Sequence, residues 1–200
     1  MIKKITLLAM AIAALVAFAA PSMASAAEWK TSETPVGGLE EADAVHLTGT
    51  LTSTKGPLKI SCNATSNVSV WNEGAGVGSV ESLTLTADPV GTAGCTVGVL
   101  VAPNTYVDVT GCHVTPSTEA FPWAVTTAGA NVTIHGANFT NEFNGCAGSL
   151  GIPNGTSIKA EGNVVGVAEG NCINFNQAGE IAEVKIDGGL CATSGALELN

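Results

Sequence analysis

Most of this chain consists of short runs in which apolar and polar residues alternate, separated by Gly, Pro, Asn and Asp. Residues 46–51, for example, place Leu47, Gly49 and Leu51 on one face and threonines on the other. Alternation with a period of two is typical of half-buried β-strands. Roughly a dozen such runs follow residue 44, and helical spacing is poor beyond residue 26. The pattern therefore predicts an all-β fold.

The number of strands constrains the architecture, because a lone sheet could not cover its own apolar face. Recurrent strands with turns at this spacing indicate a sandwich, a jelly roll or a barrel. We favour a two-sheet antiparallel β-sandwich or jelly-roll-like domain, held together by disulfides. Residues 44–200 are predicted to form this single β domain. Residues 27–43 are polar, contain Pro35 and Gly37-Gly38, and are interpreted as an N-terminal segment or linker with no core to join.

Residues 1–26 have the organisation of a secretory signal peptide. Lys3 and Lys4 form a basic start, residues 5–20 are uncharged and almost wholly apolar, and Ala24-Ser25-Ala26 supplies small residues for cleavage. The chain is therefore predicted to be secreted, to an extracellular or cell-surface location. No second long apolar run follows, so we expect no transmembrane segment after removal of the signal.

The charge balance excludes some classes of partner. The seven basic residues are all lysines and two lie in residues 1–26, so five positive charges face seventeen carboxylates beyond the signal, a net charge of −12. Nucleic-acid binding requires Lys and Arg to displace counterions from phosphates, so this acidity argues against it. It also argues against docking on an anionic membrane. We expect protein subunits or cell-surface components as partners, with a homo-oligomer among the possibilities.

Export places six cysteines in an oxidising compartment, where an even number of thiols is expected to form disulfides. Residues 95–101 and 106–112 indicate a β-hairpin around Pro103-Asn104. A register centred on that dipeptide would place Cys95 directly opposite Cys112. It would also put the valines of the two strands on opposite faces of the hairpin. A one-residue slip aligns the valines and sends the two cysteines to opposite faces. The pattern thus argues against a Cys95–Cys112 bond, and each cysteine needs a partner elsewhere.

No catalytic or metal-binding template fits the sequence. The cysteines form no C-x-x-C pair, His46, His113 and His135 are isolated, and there is no G-x-S-x-G elbow. The sequence therefore predicts no enzyme, no catalytic residue, no metal site and no cofactor. A glycosidase would need carboxylates from distant strands that converge in a cleft. That hydrolase alternative is less favoured because few aromatic residues are available to line such a cleft.

Two tryptophans are candidates for either core packing or ligand contact. Trp123 begins a strand after Pro122, which favours an extended backbone before it, and Trp71 ends another run. Trp123 is interpreted first as the main core aromatic. In the alternative hypothesis, Trp71 and Trp123 line a groove of a binding module for hydrophobic or carbohydrate ligands.

Several segments, taken in order, give the chain a resemblance to a known family. They are Leu47-Thr48-Gly49-Thr50-Leu51, Ile60-Ser61-Cys62, residues 112–123, Gly145-Cys146-Ala147-Gly148 and residues 189–197. Over residues 45–199 the chain resembles the PraB-type proteins of bacteria, which are described as activators of alkane oxidation. In this chain Phe121 stands where that family usually has leucine, Cys95 and Cys172 are additional, and residues 88–106 and 153–171 are longer.

The resemblance implies a disulfide pattern and a role. If the four shared cysteines pair among themselves, the pairs are Cys62 with Cys112 and Cys146 with Cys191, and Cys95 is left for Cys172. The implied role is that of a secreted, non-enzymatic protein of the cell surface or of an extracellular, biofilm-type matrix. The family's description as activators of alkane oxidation then refers to a growth phenotype and names no reaction.

Overall fold

The computed structural model describes residues 27–31, 34–38, 42–87, 94–181, 183–193 and 197–199. The signal-peptide prediction, residues 1–26, lies outside the described residues. The elements are β1 (Trp29–Thr31), β2 (Thr34–Pro35), β3 (Asp43–Lys55), β4 (Leu58–Asn72), β5 (Gly76–Thr86), β6 (Cys95–Ala102), β7 (Thr105–Thr118), β8 (Trp123–Ala128), β9 (Asn131–Asn144), α1 (Ala147–Leu150), β10 (Thr156–Glu169), β11 (Cys172–Ile181), β12 (Val184–Ala192) and β13 (Leu197–Leu199). The all-β prediction is confirmed.

The prediction of a two-sheet sandwich or jelly roll is wrong, because the main sheet closes on itself. Within the described residues, eight antiparallel strands form a continuous ring in the order β3, β4, β5, β8, β9, β10, β11 and β12, and β12 pairs again with β3. The fold is therefore a closed barrel. Closure pairs both sides of every strand in the ring, whereas a sandwich leaves four strand edges open.

The strands are much longer than the runs that predict them, and this length explains the closure. The sequence indicates separate strands at residues 157–161 and 163–167, but these form one strand, β10, with an irregularity between Gly162 and Val164. β3 and β4 pair without interruption from Lys55↔Leu58 to Asp43↔Val70. Long strands accumulate twist, and bulges bend them further. A twisted sheet of this length curls until its first and last strands meet.

Two glycines allow the closing strands to approach each other. A Cβ atom on Gly49 of β3 would overlap the carbonyl oxygen of Gly189 on β12. On the other side, Gly188 has a φ of 118°, and a Cβ there would overlap the carbonyl oxygen of Thr50. The seam between β3 and β12 therefore depends on backbone contact that side chains would block.

The core fills the inside of the barrel. In β4, alternate residues from Ile60 to Val70 are buried, so that this strand turns one face inward and the other outward. The buried residues form two clusters. The larger cluster contains Trp123, Phe175 and Ile186, and the smaller one contains Ile60, Val97 and Phe143.

The wall changes its strands halfway along the barrel. β4 pairs through residues 63–72 with β5 but through residues 58–61 with β6. β9 likewise pairs through residues 131–134 with β8 and through residues 139–144 with β7. One half of the wall is thus completed by β5 and β8 and the other by the β6–β7 hairpin. We call the half completed by β5 and β8 the capped end, and the half completed by the β6–β7 hairpin the hairpin end.

The capped end is covered by the N-terminal strands. β1 pairs with β13 and β2 in a small second sheet. Trp29 is 1% exposed and belongs to the main core, and its Nε1 donates to the carbonyl oxygen of Val77 at 2.9 Å. Asn72 accepts a hydrogen bond from the Trp29 amide at 2.8 Å and donates to the carbonyl oxygens of Trp29 and Val36. This differs from the expectation of a linker with no core to join.

Three disulfides cross-link neighbouring strands: Cys62–Cys95, Cys112–Cys146 and Cys172–Cys191. The prediction that the six cysteines form disulfides is confirmed, and Cys95 and Cys112 are not bonded to each other, as their register argued. The first two bonds lie at the hairpin end, and the third joins residues directly opposite each other at the capped end.

The pairing implied by the family resemblance, Cys62 with Cys112, Cys146 with Cys191 and Cys95 with Cys172, differs from the observed one. Cys146 follows β9 at the hairpin end, whereas Cys191 lies at the capped end. A strand of 14 residues such as β9 is about 45 Å long, far beyond the roughly 7 Å between Cα atoms that a disulfide can span. Cys95 and Cys172 likewise lie at opposite ends of the barrel. Cys62 on β4 and Cys112 on β7 are kept apart because β6 lies between these two strands.

The predicted hairpin around Pro103-Asn104 is confirmed, with Ala102 opposite Thr105. Its register then slips by one residue, which places Val99 opposite Val107, as alignment of the valines requires. A second irregularity follows, because Gly98 pairs with Asp108 but Thr96 pairs with His113. β7 therefore bulges outward over residues 109–112 before it joins β9.

Candidate interaction surface

The two tryptophans singled out from the sequence do not share a groove. Trp123 is 2% exposed inside the barrel, where it stacks on Phe121 at 4.4 Å between ring centroids and meets the edge of Phe139 at 5.3 Å. Its Nε1 donates to the carbonyl oxygen of Glu119 at 2.9 Å. Trp71 follows the inward-facing Val70 and therefore lies on the outer face of the wall. Trp123 is a core residue.

The interior offers little room for a ligand. Two pockets lie inside the barrel, with volumes of about 40 Å³ and 30 Å³, and the larger has an apolar lining that includes Trp123 and Phe175. Ligand pockets commonly have volumes of about 300–1,000 Å³. Even benzene needs a cavity of about 150 Å³. These two pockets therefore do not support an apolar ligand bound within the barrel.

The histidines bond to side chains on neighbouring strands. His46 Nδ1 lies 2.9 Å from Asn67 Oδ1, and His135 Nε2 lies 2.8 Å from Thr126 Oγ1. In the part of the chain that the structure describes, no group of three or more His, Cys, Asp or Glu side chains has a geometry that could hold a metal ion. These contacts join adjacent strands.

The hairpin end presents an unusual amount of exposed apolar side chain. Leu100, Val101 and Val107 are the large hydrophobic residues that are exposed among the described residues, at 39%, 61% and 53%. All three belong to the β6–β7 hairpin. Single exposed apolar residues are normal on a protein surface, but a cluster at one projecting element is typical of an interaction site.

The exposed face of this hairpin continues the inner face of the barrel. Ile60 and Val97 are paired and buried, and one step farther along the ladder Leu58 pairs with Val99, which pairs with Val107. Because paired residues share a face, Val107 lies on the core-facing side of a hairpin that extends past the core. The apolar face thus runs from the interior into solvent.

The same hairpin carries an open strand edge. Residues 105–108 of β7 pair with β6, but β7 joins β9 only from His113 onward. On the side away from β6, residues 105–110 therefore have no strand partner among the described residues; we call this segment the hairpin edge. Unpaired backbone N–H and C=O groups along such an edge can pair with another strand. Asp108 is the one charged residue in the hairpin edge.

The sequence predicted this hairpin but not its exposed edge. The available signal was the presence of Val99 and Val107 on one face of a two-stranded element and of Leu100 and Tyr106 on the other. Apolar residues on both faces fit either a fully buried strand or an exposed interaction strand. Only the position of the hairpin at the rim of the barrel distinguishes these two cases.

Comparison with known proteins gives no further guide. No protein-family model, no curated protein and no solved structure matches this chain. In the described residues, no helix has both the length and the apolar character needed to cross a membrane.

Proposed function

We propose that this chain is an exported, non-enzymatic structural component of the cell surface or of an extracellular, biofilm-type matrix, and that it assembles with further copies of itself. Three intramolecular disulfides are compatible with an extracellular location, and the signal-like residues 1–26 support export. The resemblance to PraB-type proteins points to the same role.

The observation that carries the proposal is the hairpin edge beside the exposed Val101 and Val107. Two copies can add their hairpin edges to each other in antiparallel fashion, which extends the sheet of one barrel into that of its neighbour. Such an arrangement has two-fold symmetry, because each copy contributes the same surface. It would pair the open backbone groups and bury the two valines in one step.

Two copies that meet at the hairpin edge bring few charges into contact. The chain carries a net charge of −12 beyond residue 26, so two copies repel each other at long range. Asp108 is the sole carboxylate in the hairpin edge, so each copy brings only one carboxylate of this segment to the contact. Salt screens long-range repulsion, so added salt is expected to strengthen the association.

The test is sedimentation of the mature protein over a range of concentrations, with Val107→Lys compared to Ala124→Lys. Ala124 is exposed on β8, away from the hairpin, so both variants add the same charge to an exposed position. We expect the wild type and Ala124→Lys to associate and Val107→Lys to remain monomeric. Wild-type protein that stays strictly monomeric at high concentration and does not bind to cells contradicts the proposal, as does equal association of both variants.

A further inference from the structure

The outer face of the barrel holds a second feature at the hairpin end. Lys185 of β12 pairs with Thr54 of β3, and Thr54 pairs with Lys59 of β4, so these three residues form one row across neighbouring strands. Ile186 and Ile60, next to the two lysines in sequence, are buried inside the barrel. The lysines and Thr54 therefore point outward. Two strand spacings, about 10 Å, separate the lysine backbones.

Tyr106 of the hairpin lies beside this row of residues. The Lys59 ammonium nitrogen lies 5.8 Å from the centre of the tyrosine ring, within the range of a cation–π contact. Tyr106 pairs with Leu100 on the face opposite to Val107. The aromatic ring is therefore turned toward the lysines and away from the apolar face that we assign to self-association.

Together these residues line a pocket of about 530 Å³. The rest of its lining consists of Thr52, Gly56, Asn104, Glu183 and Asp187. The pocket falls in the volume range of ligand sites and is far larger than the spaces inside the barrel. An aromatic ring, hydroxyl groups and both signs of charge line this one pocket.

The lysines in this pocket are available to a ligand. Lys59 and Lys185 are two of the five lysines beyond residue 26. Neither forms an ion pair with a described residue, whereas Lys159 is bound to Glu161 at 3.0 Å. An ammonium group without a carboxylate partner can donate charge-assisted hydrogen bonds to an anionic group of a ligand.

The mixture of charges selects the ligand chemistry. Glu183 and Asp187 would repel a compact, multiply charged anion such as phosphate. The same carboxylates accept hydrogen bonds from hydroxyl groups, and the ring of Tyr106 can pack against the apolar C–H face of a sugar. We propose that this pocket binds an acidic carbohydrate, with the carboxylate of a uronic acid unit between Lys59 and Lys185.

This proposal goes beyond self-association and depends on different side chains. The carboxylate bonds to the two ammonium groups, the sugar ring lies on Tyr106, and its hydroxyl groups bond to the threonines and carboxylates. A neutral oligosaccharide has no carboxylate to bond to the two ammonium groups, and inorganic phosphate has no sugar ring to lie on Tyr106. Both are therefore expected to bind more weakly than an acidic oligosaccharide.

The experiment is calorimetric titration of the mature, disulfide-bonded protein with a galacturonic acid tetramer, a neutral cellotetraose and inorganic phosphate. The variant Lys59→Gln/Lys185→Gln is compared with Lys30→Gln/Lys159→Gln, which removes the same charge elsewhere, and circular dichroism checks folding of both. We expect the acidic tetramer to bind the wild type, and its affinity to fall at least tenfold, about 1.4 kcal/mol, in the first variant alone.

Three results would overturn the assignment. They are no binding of the acidic tetramer at millimolar concentration, equal binding of phosphate or cellotetraose, and an equal loss of affinity in both lysine variants. Tyr106→Leu adds an independent measurement, because it retains both lysines and is expected to weaken binding of the acidic tetramer several-fold. Loss of self-association in Val107→Lys with sugar binding intact would separate the two surfaces.

Discussion

At the capped end, the barrel is closed by a packed aromatic plug together with one disulfide, whereas at the hairpin end two disulfides join the strands and the hairpin projects into solvent. Trp29 fills the capped end and hydrogen-bonds to the rim, and Asn72 binds the backbone around it. At the hairpin end, Cys62–Cys95 and Cys112–Cys146 join the strands where the wall changes its members. The difference indicates that the capped end combines a packed plug with one disulfide, while two disulfides hold a rim that leaves a strand edge free for partners.

Removal of the plug should have the largest effect. Trp29→Ala deletes a fully buried aromatic side chain and should lower the free energy of unfolding by about 3–5 kcal/mol. The loss should also be local, because the hydrogen bond to Val77 disappears with the ring. Denaturant unfolding measures the total, and amide hydrogen exchange should show faster exchange around residues 73–77 than in β6. Equally faster amide exchange around residues 73–77 and in β6 would contradict the expectation that Trp29 stabilises the capped end locally. Trp71→Ala, on the outer wall, is the matched control with a smaller expected loss.

Removal of one disulfide at each end compares their covalent contributions. Cys112→Ala/Cys146→Ala opens a loop with a sequence separation of 34, and Cys172→Ala/Cys191→Ala opens one of 19. Chain entropy predicts losses of about 4 and about 3 kcal/mol. Burial increases the difference, since Cys146 is fully buried while Cys172 and Cys191 are only half-buried. Urea unfolding of the two variants should therefore show the hairpin-end variant to be the less stable. The reverse order would mean that the capped end depends more on its cross-link than on Trp29.

Truncation of two valines on one face of the hairpin should locate the point at which the core ends. Val97 is 1% exposed and Val107 is 53% exposed. Val97→Ala removes buried methyl groups and should cost about 2 kcal/mol of unfolding free energy, whereas Val107→Ala should change it by less than about 0.5 kcal/mol. The measurement uses dilute, monomeric protein, because association would stabilise the folded state. A large loss from Val107→Ala in the monomer would show that the hairpin face is packed rather than free.

Several features of the fold could be read from residues close together in sequence. Alternation of apolar and polar residues predicted the strands, and the valines near Pro103-Asn104 predicted both the hairpin and its slipped register. Trp123 was interpreted first as a core aromatic, with a ligand groove as the alternative, and it is buried. These features depend on the two-residue period of a strand, which is local. The same alternation fits either a sandwich or a barrel, and the strand lengths that favour closure, such as that of β10, were underestimated from the sequence.

The candidate surfaces could not be found in this way. Lys59 and Lys185 are far apart in sequence and become neighbours across β3 only because β12 closes the ring. The openness of the hairpin edge depends on where β7 begins to pair with β9, which happens only beyond the irregularity around Gly111. The disulfide partners likewise follow from the order of strands around the wall, which differs from their order along the chain.

By itself, the sequence determined that the chain forms strands, that its cysteines suit an oxidising compartment and that its acidity disfavours nucleic acid. The tertiary structure decided that the sheet closes, which cysteines meet, that Trp29 belongs to the core and which hairpin edge stays open. The physical reason is that face alternation is fixed by each strand's own backbone geometry. Strand order and closure depend instead on twist accumulated over long strands and on backbone contacts, such as those at Gly49 and Gly188, between residues distant in sequence.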